Sequence, residues 1–323
     1  MIARDLPRSS LRVSPVCLGT ALFGATIDTP AAYALLDLFL ERGGAFLDTA
    51  RSYNDWIPGE RGRSEGVIGR WLQDRRCRRR IVLATKGGHA ADDGTPRLTA
   101  AHLAGDIDAS LRRLAVDEID LYYLHRDDPS TPVESIIDAL NEHVRAGKVR
   151  HLGCSNWRTA RVRAANAYAE TSGQSGFIAN QPMWNAAVIA PAQVPDQTLV
   201  VMDRAMRDWH TETGLACVPF SAQAGGLFSK LDTWTGALRL RVSGWPAGYP
   251  AAPNRARAKA LSAIAMRRGA AIEAVVLAYL TSQPFVTVPI VGCRTVDQLE
   301  STLAGIDLRL DADELAAIDQ ATA

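Results

Sequence analysis

Short apolar runs rich in β-branched residues alternate along the chain with segments whose apolar positions fall three or four apart. Eight runs read as strands: Val16–Leu22, Ala45–Ala50, Ile81–Lys86, Ile119–His125, Val149–Ser155, Phe177–Trp184, Leu215–Ser221 and Phe285–Gly292. Between them lie helix-like stretches, among them Pro30–Arg42, Thr99–Leu114, Pro132–Ala146 and Gln197–Glu212. Thr29 and Thr131 each precede a proline at a first helical position and read as N-caps. Gly43 and Gly147 follow helices, where a left-handed C-cap carries little penalty. Strand-then-helix repeated eight times predicts an α/β fold, a closed (β/α)8 TIM barrel, because parallel strands need covered faces and right-handed crossovers.

Three stretches depart from the repeat. Residues Met1–Ser14 read as a small hairpin closing the bottom of the barrel. Residues 222–254, rich in Trp, Gly and Pro, are too long for an ordinary connection and read as a loop able to act as a lid. Asp311–Ala321 reads as a helical tail. No low-complexity segment, internal repeat or boundary interrupts the pattern, so residues 1–323 are expected to form one domain.

Composition narrows the options. With 47% hydrophobic and 22% charged residues, the chain is ordinary for a globular protein with a sizeable core. A formal net charge of +1 offers no global field for nucleic acid or an anionic membrane. No stretch approaches the roughly 20 apolar residues of a membrane span, and Met1-Ile-Ala-Arg-Asp lacks a signal-peptide core, so cytoplasmic residence is expected. Cys17, Cys77, Cys154, Cys217 and Cys293 are odd in number and scattered, which argues against a disulfide framework or a zinc site. Arg75-Arg-Cys-Arg-Arg-Arg80 falls between a helix and the third strand and reads as a solvated loop, since no aromatic residues interleave it.

Candidate chemistry collects at strand ends. Asp48, Lys86 and His125 each close an apolar run, and Tyr53 follows the first of these closely. In a closed barrel those ends share one mouth, where such folds place their chemistry. Lys86 on its apolar strand would seek a carboxylate, which Asp48 can provide; a purely structural ion pair is the alternative. A phenol titrates near pH 10, and an ammonium within about 4–6 Å is expected to lower that value. Tyr53 could then act as an acid on a carbonyl or as a base in reverse, with His125 holding the carbonyl oxygen.

Several motifs occur in order: Gly19-Thr20, Asp48-Thr-Ala-Arg-Ser-Tyr53, Ser64-Glu65-Gly66-Val-Ile-Gly69, Thr85-Lys86, Asp120-Leu-Tyr-Tyr-Leu-His125 and Gly153-Cys-Ser-Asn156. Together they resemble the aldo-keto reductase superfamily from near residue 11 to about 305. The segments Gln181-Pro-Met-Trp184-Asn and Phe220-Ser-Ala-Gln-Ala resemble its bacterial and plant members more than the aldose-reductase branch. The resemblance implies a barrel reductase using a nicotinamide cofactor, with Asp48, Tyr53, Lys86 and His125 as its catalytic tetrad.

No G-x-G-x-x-G follows a strand, so a Rossmann site is not indicated and a nicotinamide cofactor would lie across the barrel mouth. By the resemblance, Ser155, Asn156 and Gln181 would bind its carboxamide, although Ser155 and Asn156 could equally cap the next helix. Phe220 would stack on the nicotinamide, and Ser221 with the loop through Gly226 and Leu227 would cover the pyrophosphate. Gly19 and Thr20 would also touch the cofactor. Gly292, Arg294 and Gln298 resemble the adenosine-phosphate segment, and Arg294 at a helix start suits a 2′-phosphate, favouring NADPH over NADH. Val291 and Thr302 depart from the family's usual Pro and Asn, which weakens that preference.

Trp56 and Trp184 are expected to flank a small carbonyl substrate, with Trp234, Trp245 and Tyr249 on the lid; barrel packing is the alternative for Trp184. The reading is reduction of an aldehyde, ketone or sugar carbonyl, with no metal, nucleic-acid or membrane partner. Alternatives are a sugar or polyol dehydrogenase working oxidatively and a nicotinamide-binding regulatory protein without turnover. A barrel hydrolase is disfavoured, because no second acid stands beside Asp48.

Overall fold

The computed structural model describes residues 1–231 and 246–322. Eight parallel strands occur in sequence order around a sheet: β3 (Cys17–Gly19), β4 (Phe46–Asp48), β5 (Val82–Gly87), β6 (Ile119–Leu124), β7 (Val149–Ser155), β8 (Phe177–Gln181), β9 (Ala216–Cys217) and β10 (Ile290–Val291). β10 pairs with β3, with Ile290 opposite Cys17. Closure on the other side comes from Cys217 bridging Thr287, with Val288 N–H donating to Cys217 O at 2.9 Å. The result is the expected (β/α)8 barrel.

Most of the strands are shorter than their apolar runs, although β7 matches its run and β5 keeps its length. Prolines at 182, 219 and 289 lack the N–H a ladder needs, and they fall within the sixth, seventh and eighth runs. What survives is the alternation. Phe46, Ala84, Leu121 and Tyr123 point into the barrel, whereas Leu47, Leu83, Tyr122 and Leu124 pack against the helices. Continuing that period of two places Asp48, Lys86 and His125 on the inward register at the carboxyl ends.

The N-terminal hairpin forms as expected, β1 (Arg4–Asp5) antiparallel to β2 (Arg12–Val13). Its Leu6, Leu11 and Val13 join the interior cluster and seal the barrel's lower end. Ser14 Oγ accepts the N–H groups of Ala45 and Phe46 at 3.1 and 3.2 Å, tying the hairpin's exit to β4. The tail is the helix Ala312–Gln320, opened by a capping box between Asp311 and Glu314.

Caps and loops required corrections. The helix α1 (Thr29–Glu41) is capped by Asp28, whose carboxylate accepts Ala31 N–H at 2.9 Å, and not by Thr29. Thr131 caps nothing; its hydroxyl donates to Asp128, and Pro132 occupies the cap position of Val133–Arg145. Gly43 and Gly147 do adopt left-handed φ of 83° and 70°. The helix expected over Gln197–Glu212 is Arg204–Thr213. Asp196 folds its own turn through Thr198, and Asp203 caps the helix by accepting Met206 N–H at 2.7 Å.

In the long insertion, Ala224–Gly226 and Leu227–Leu231 are short helical turns, and a helix resumes at Ala251–Arg268. Trp234 and Trp245 lie outside the described residues. Tyr249 is buried, and its hydroxyl accepts from Asn185 Nδ2 at 3.1 Å, so it anchors the segment and is no part of a lid. All five cysteines are free and buried, as packing thiols should be. In the basic run, Arg75 pairs with Asp37 at 2.8 Å and Arg78 with Asp120 at 2.8 Å, away from the mouth. Among the described residues, no helix is long and apolar enough to cross a membrane.

Candidate active site

The mouth is organised around one ammonium. Lys86 Nζ donates to Asp48 Oδ2 at 2.5 Å, to Thr49 O at 2.8 Å and to the Tyr53 hydroxyl at 2.8 Å. Three donors meet three acceptors, so Lys86 is satisfied although only 1% exposed. Because Tyr53 Oη accepts from Lys86, its own proton remains available. Among the described residues it meets only Asp48 Oδ2, at a long 3.4 Å.

Tyr53 stands on the loop after β4, and the next residue sets its direction. Asn54 takes a left-handed φ of 70°, and its Nδ2 donates to Phe23 O at 2.8 Å. Asparagine tolerates that conformation better than most residues with a side chain. The His125 ring lies 5.8 Å from the Tyr53 ring, edge to face, with Ser52 Oγ 3.4 Å from Nδ1.

Electrostatics differ from expectation at one point. Burial raises the Tyr53 pKa above its ordinary value, although Lys86 pulls it down; Asp48 adds to the rise. The expected net lowering by the ammonium does not occur, and the phenol is held protonated. For Lys86, burial works against the charge, but Asp48 and Tyr53 outweigh it and raise its pKa. His125 is pushed well below its usual range by burial, then by Lys86, Arg126 and His89, so its imidazole is neutral.

Gln181 has a role the sequence did not reveal: its Nε2 donates to Asp48 Oδ1 at 3.0 Å. Ser155 Oγ donates to the backbone Gln181 O at 2.9 Å and meets the side-chain Oε1 at a longer 3.4 Å. A continuous polar chain therefore runs Ser155–Gln181–Asp48–Lys86–Tyr53. Asn156 donates to His125 O at 3.2 Å and accepts Val200 N–H at 3.1 Å. The mis-assigned segment before Asp203 is thereby pinned beside the mouth, where Leu199 forms part of the wall.

A cleft of about 960 Å³ opens over Asp48, Tyr53 and His125 and extends across the strand ends. Gly19, Ser155, Asn156, Gln181 and Phe220 line its inner part. Ser221, Gly226, Gly292, Arg294 and Gln298 line the outer part. Arg126 and Lys230 also line it and were not foreseen. Ser221, Ala224, Gly225 and Gly226 all have positive φ, a backbone that can turn successive N–H groups toward an anion. Arg294 is exposed just ahead of the helix Val296–Ala304, whose cap is Thr295. Gln298 Oε1 accepts Arg294 N–H at 2.9 Å. An amide-lined inner end, a backbone cradle and a cationic outer end fit a nicotinamide dinucleotide, and the volume lies at the upper end of small-molecule sites.

Four expected contacts lie elsewhere. Thr20 is fully buried, and its hydroxyl bonds Asp48 O at 2.9 Å, so it buttresses β4 and does not face the cleft. Leu227 packs in the apolar core. Trp184 is 4% exposed, with its ring stacked 6.0 Å from Phe285 and edge-on to Tyr279, so it is barrel packing. Trp56 is 66% exposed and outside the cleft lining. The Ser64–Gly69 motif is structural too: Glu65 accepts from Thr85 Oγ1 at 2.7 Å. A Cβ on Gly69 would come within 2.2 Å of Arg113 O, so only glycine lets the helix Arg63–Arg75 meet the helix Ala100–Leu114 there.

Fold and mouth define a class, a (β/α)8-barrel oxidoreductase. The model of the aldo/keto reductase family matches residues 15–323, and the chain belongs to that family. It is 31% identical to a norsolorinic acid reductase of Emericella nidulans, over 97% of this chain and 79% of that protein. It is 30% identical to an uncharacterized oxidoreductase of Bacillus subtilis, over 97% of this chain and 94% of that one. An aryl-alcohol dehydrogenase of Pestalotiopsis microspora is 29% identical, over 97% of this chain and 80% of its own length. The protein is accordingly an NAD(P)H-dependent oxidoreductase.

Proposed function

We propose that the chain reduces an aldehyde or ketone to the alcohol with NADPH, Tyr53 serving as the general acid. The observation that carries this is the Lys86 ammonium held at once by Asp48 and Tyr53 at the floor of the cleft. A reduced nicotinamide, when bound, supplies hydride to the carbonyl carbon. The protein supplies the proton: Tyr53 O–H gives it to the carbonyl oxygen, converting C=O to CH–OH. The phenolate left behind is stabilised by Lys86, whose charge Asp48 secures. Neutral His125 orients the oxygen by a hydrogen bond and leaves the phenol as the proton source. In this reading Ser155, Asn156 and Gln181 would hold the carboxamide, and Arg294 would favour a 2′-phosphate.

Relatives named for norsolorinic acid and for aryl alcohols support an aromatic carbonyl compound as the substrate class. The second of those names also supports the oxidative direction as an alternative reading, with Tyr53 phenolate as base. The test is NADPH and NADH oxidation followed by absorbance against aryl aldehydes, aryl ketones and oxidised sugars, with the matching alcohols run in reverse. Turnover of aryl carbonyls with NADPH is expected. Turnover confined to sugars would overturn the substrate class, and NADH outperforming NADPH would overturn the cofactor preference.

A further inference from the structure

The strand end Lys86–Gly88 is where a loop, a neighbouring strand end and a helix are fastened. Lys86 O accepts the N–H of Arg51, two residues before Tyr53, at 2.9 Å. Gly87 O accepts His125 N–H at 2.8 Å. Gly88 N–H donates to Oδ2 of Asp106, which lies in the helix Ala100–Leu114, at 2.9 Å. The other oxygen of Asp106 faces Arg51 Nε at 2.9 Å and accepts from Arg97 Nη2 at 2.7 Å. Asp106 is 2% exposed, and the Arg51 side chain is 15% exposed.

One carboxylate from the helical layer therefore grips both the loop bearing Tyr53 and the strand end bearing Lys86. Close packing makes this reach possible. A Cβ on Gly87 would lie 2.9 Å from Asp106 Cβ and 1.9 Å from the Tyr122 hydroxyl, so a side chain there would push the helix away. Asp106 does not line the cleft and touches none of the groups proposed to react.

We propose that Asp106 is a positioning residue: by holding Arg51 and Gly88 together it sets the distance between Tyr53 and Lys86. This rests on the reading of Tyr53 as proton donor. Without the carboxylate, the Arg51 guanidinium keeps only Asp55, four residues on in its own loop and 3.9 Å away, so nothing ties it to the strand end and the loop is free to draw outward. Proton transfer needs hydrogen-bond distance, and a misplacement of about 1 Å can cost on the order of a hundredfold.

The test is steady-state and binding analysis of Asp106→Asn, Arg51→Met and Arg51→Lys beside Tyr53→Phe. In Asp106→Asn and Arg51→Met, kcat is expected to fall about 30- to 100-fold while the Kd for NADPH, read by fluorescence, stays within about twofold. Arg51→Lys, which keeps the charge, is expected to recover most of the loss. A folded Asp106→Asn with wild-type kcat would overturn the inference, as would Arg51→Lys being as damaged as Arg51→Met. Should Asp106→Asn fail to fold, the Arg51 pair decides. Activity persisting in Tyr53→Phe fails the functional reading itself, whereas an inactive Tyr53→Phe beside an active Asp106→Asn fails only this inference.

Discussion

At the mouth of the barrel Asp48 meets Lys86 at 2.5 Å, and at the opposite rim Asp120 meets Arg78 and Arg150, each at 2.8 Å. Both carboxylates are buried on strands, and each borders a cleft; the lower one measures about 560 Å³. The difference lies in what else is present. Asp120 accepts Leu83 N–H at 2.9 Å besides its two guanidiniums, and every partner is a donor that keeps its proton. Asp48 holds a lysine that also touches a phenol, beside a neutral imidazole facing open space. An ion pair at a strand end is therefore scaffolding until a group able to release a proton shares it.

Lys86→Met should show the contrast most strongly. It removes the ammonium beside Tyr53 and leaves Asp48 buried with Gln181 and a long contact from Tyr53, without a counter-charge. Loss of kcat by about 10²- to 10⁴-fold is expected, with stability lower by about 3–5 kcal/mol in chemical denaturation. A variant that kept turnover would make the mouth equivalent to the lower rim. Next comes Arg294→Ala, for which NADPH affinity should drop by about tenfold or more while NADH affinity barely changes. Equal losses for both cofactors would remove the phosphate role.

Asp120→Asn is the reciprocal variant. Its arginine partners are about a third exposed and screened by solvent, so a stability loss of only about 1 kcal/mol is expected, with kcat unchanged. A large fall in kcat there would erase the distinction between the two ends. The pH profile is the mildest test. With Tyr53 as the proposed acid and its pKa raised, the rate of reduction should fall only as pH climbs above about 10. His125 already lacks its proton at neutral pH, so no acid limb is expected near its ordinary pKa of about 6.5.

Much of this site was legible because strands alternate. Asp48, Lys86 and His125 each end an apolar run in phase with inward residues, and a period of two does not drift over so few positions. Trp184 escaped the same logic, since Pro182 breaks the ladder before it and its neighbours Tyr279 and Phe285 arrive from about a hundred residues away. The Tyr53 pKa was misjudged because the Lys86 ammonium could be placed from its strand end, whereas burial, the larger cause, is assembled from many distant segments. The Gln197–Glu212 helix was misplaced because Asp196 and Asp203 both offer caps, and only packing chooses between them. The Gln181–Asp48 bond joins residues on opposite sides of the barrel, and no spacing announces it.

The central claim is that Tyr53, held protonated beside Lys86, delivers the proton. Its most direct measurement is kcat and NADPH Kd for Tyr53→Phe, which deletes one hydroxyl and little else. A fall in kcat of at least about a hundredfold is expected, with Kd within about twofold of the unaltered protein. Wild-type turnover from the phenylalanine variant would contradict the account.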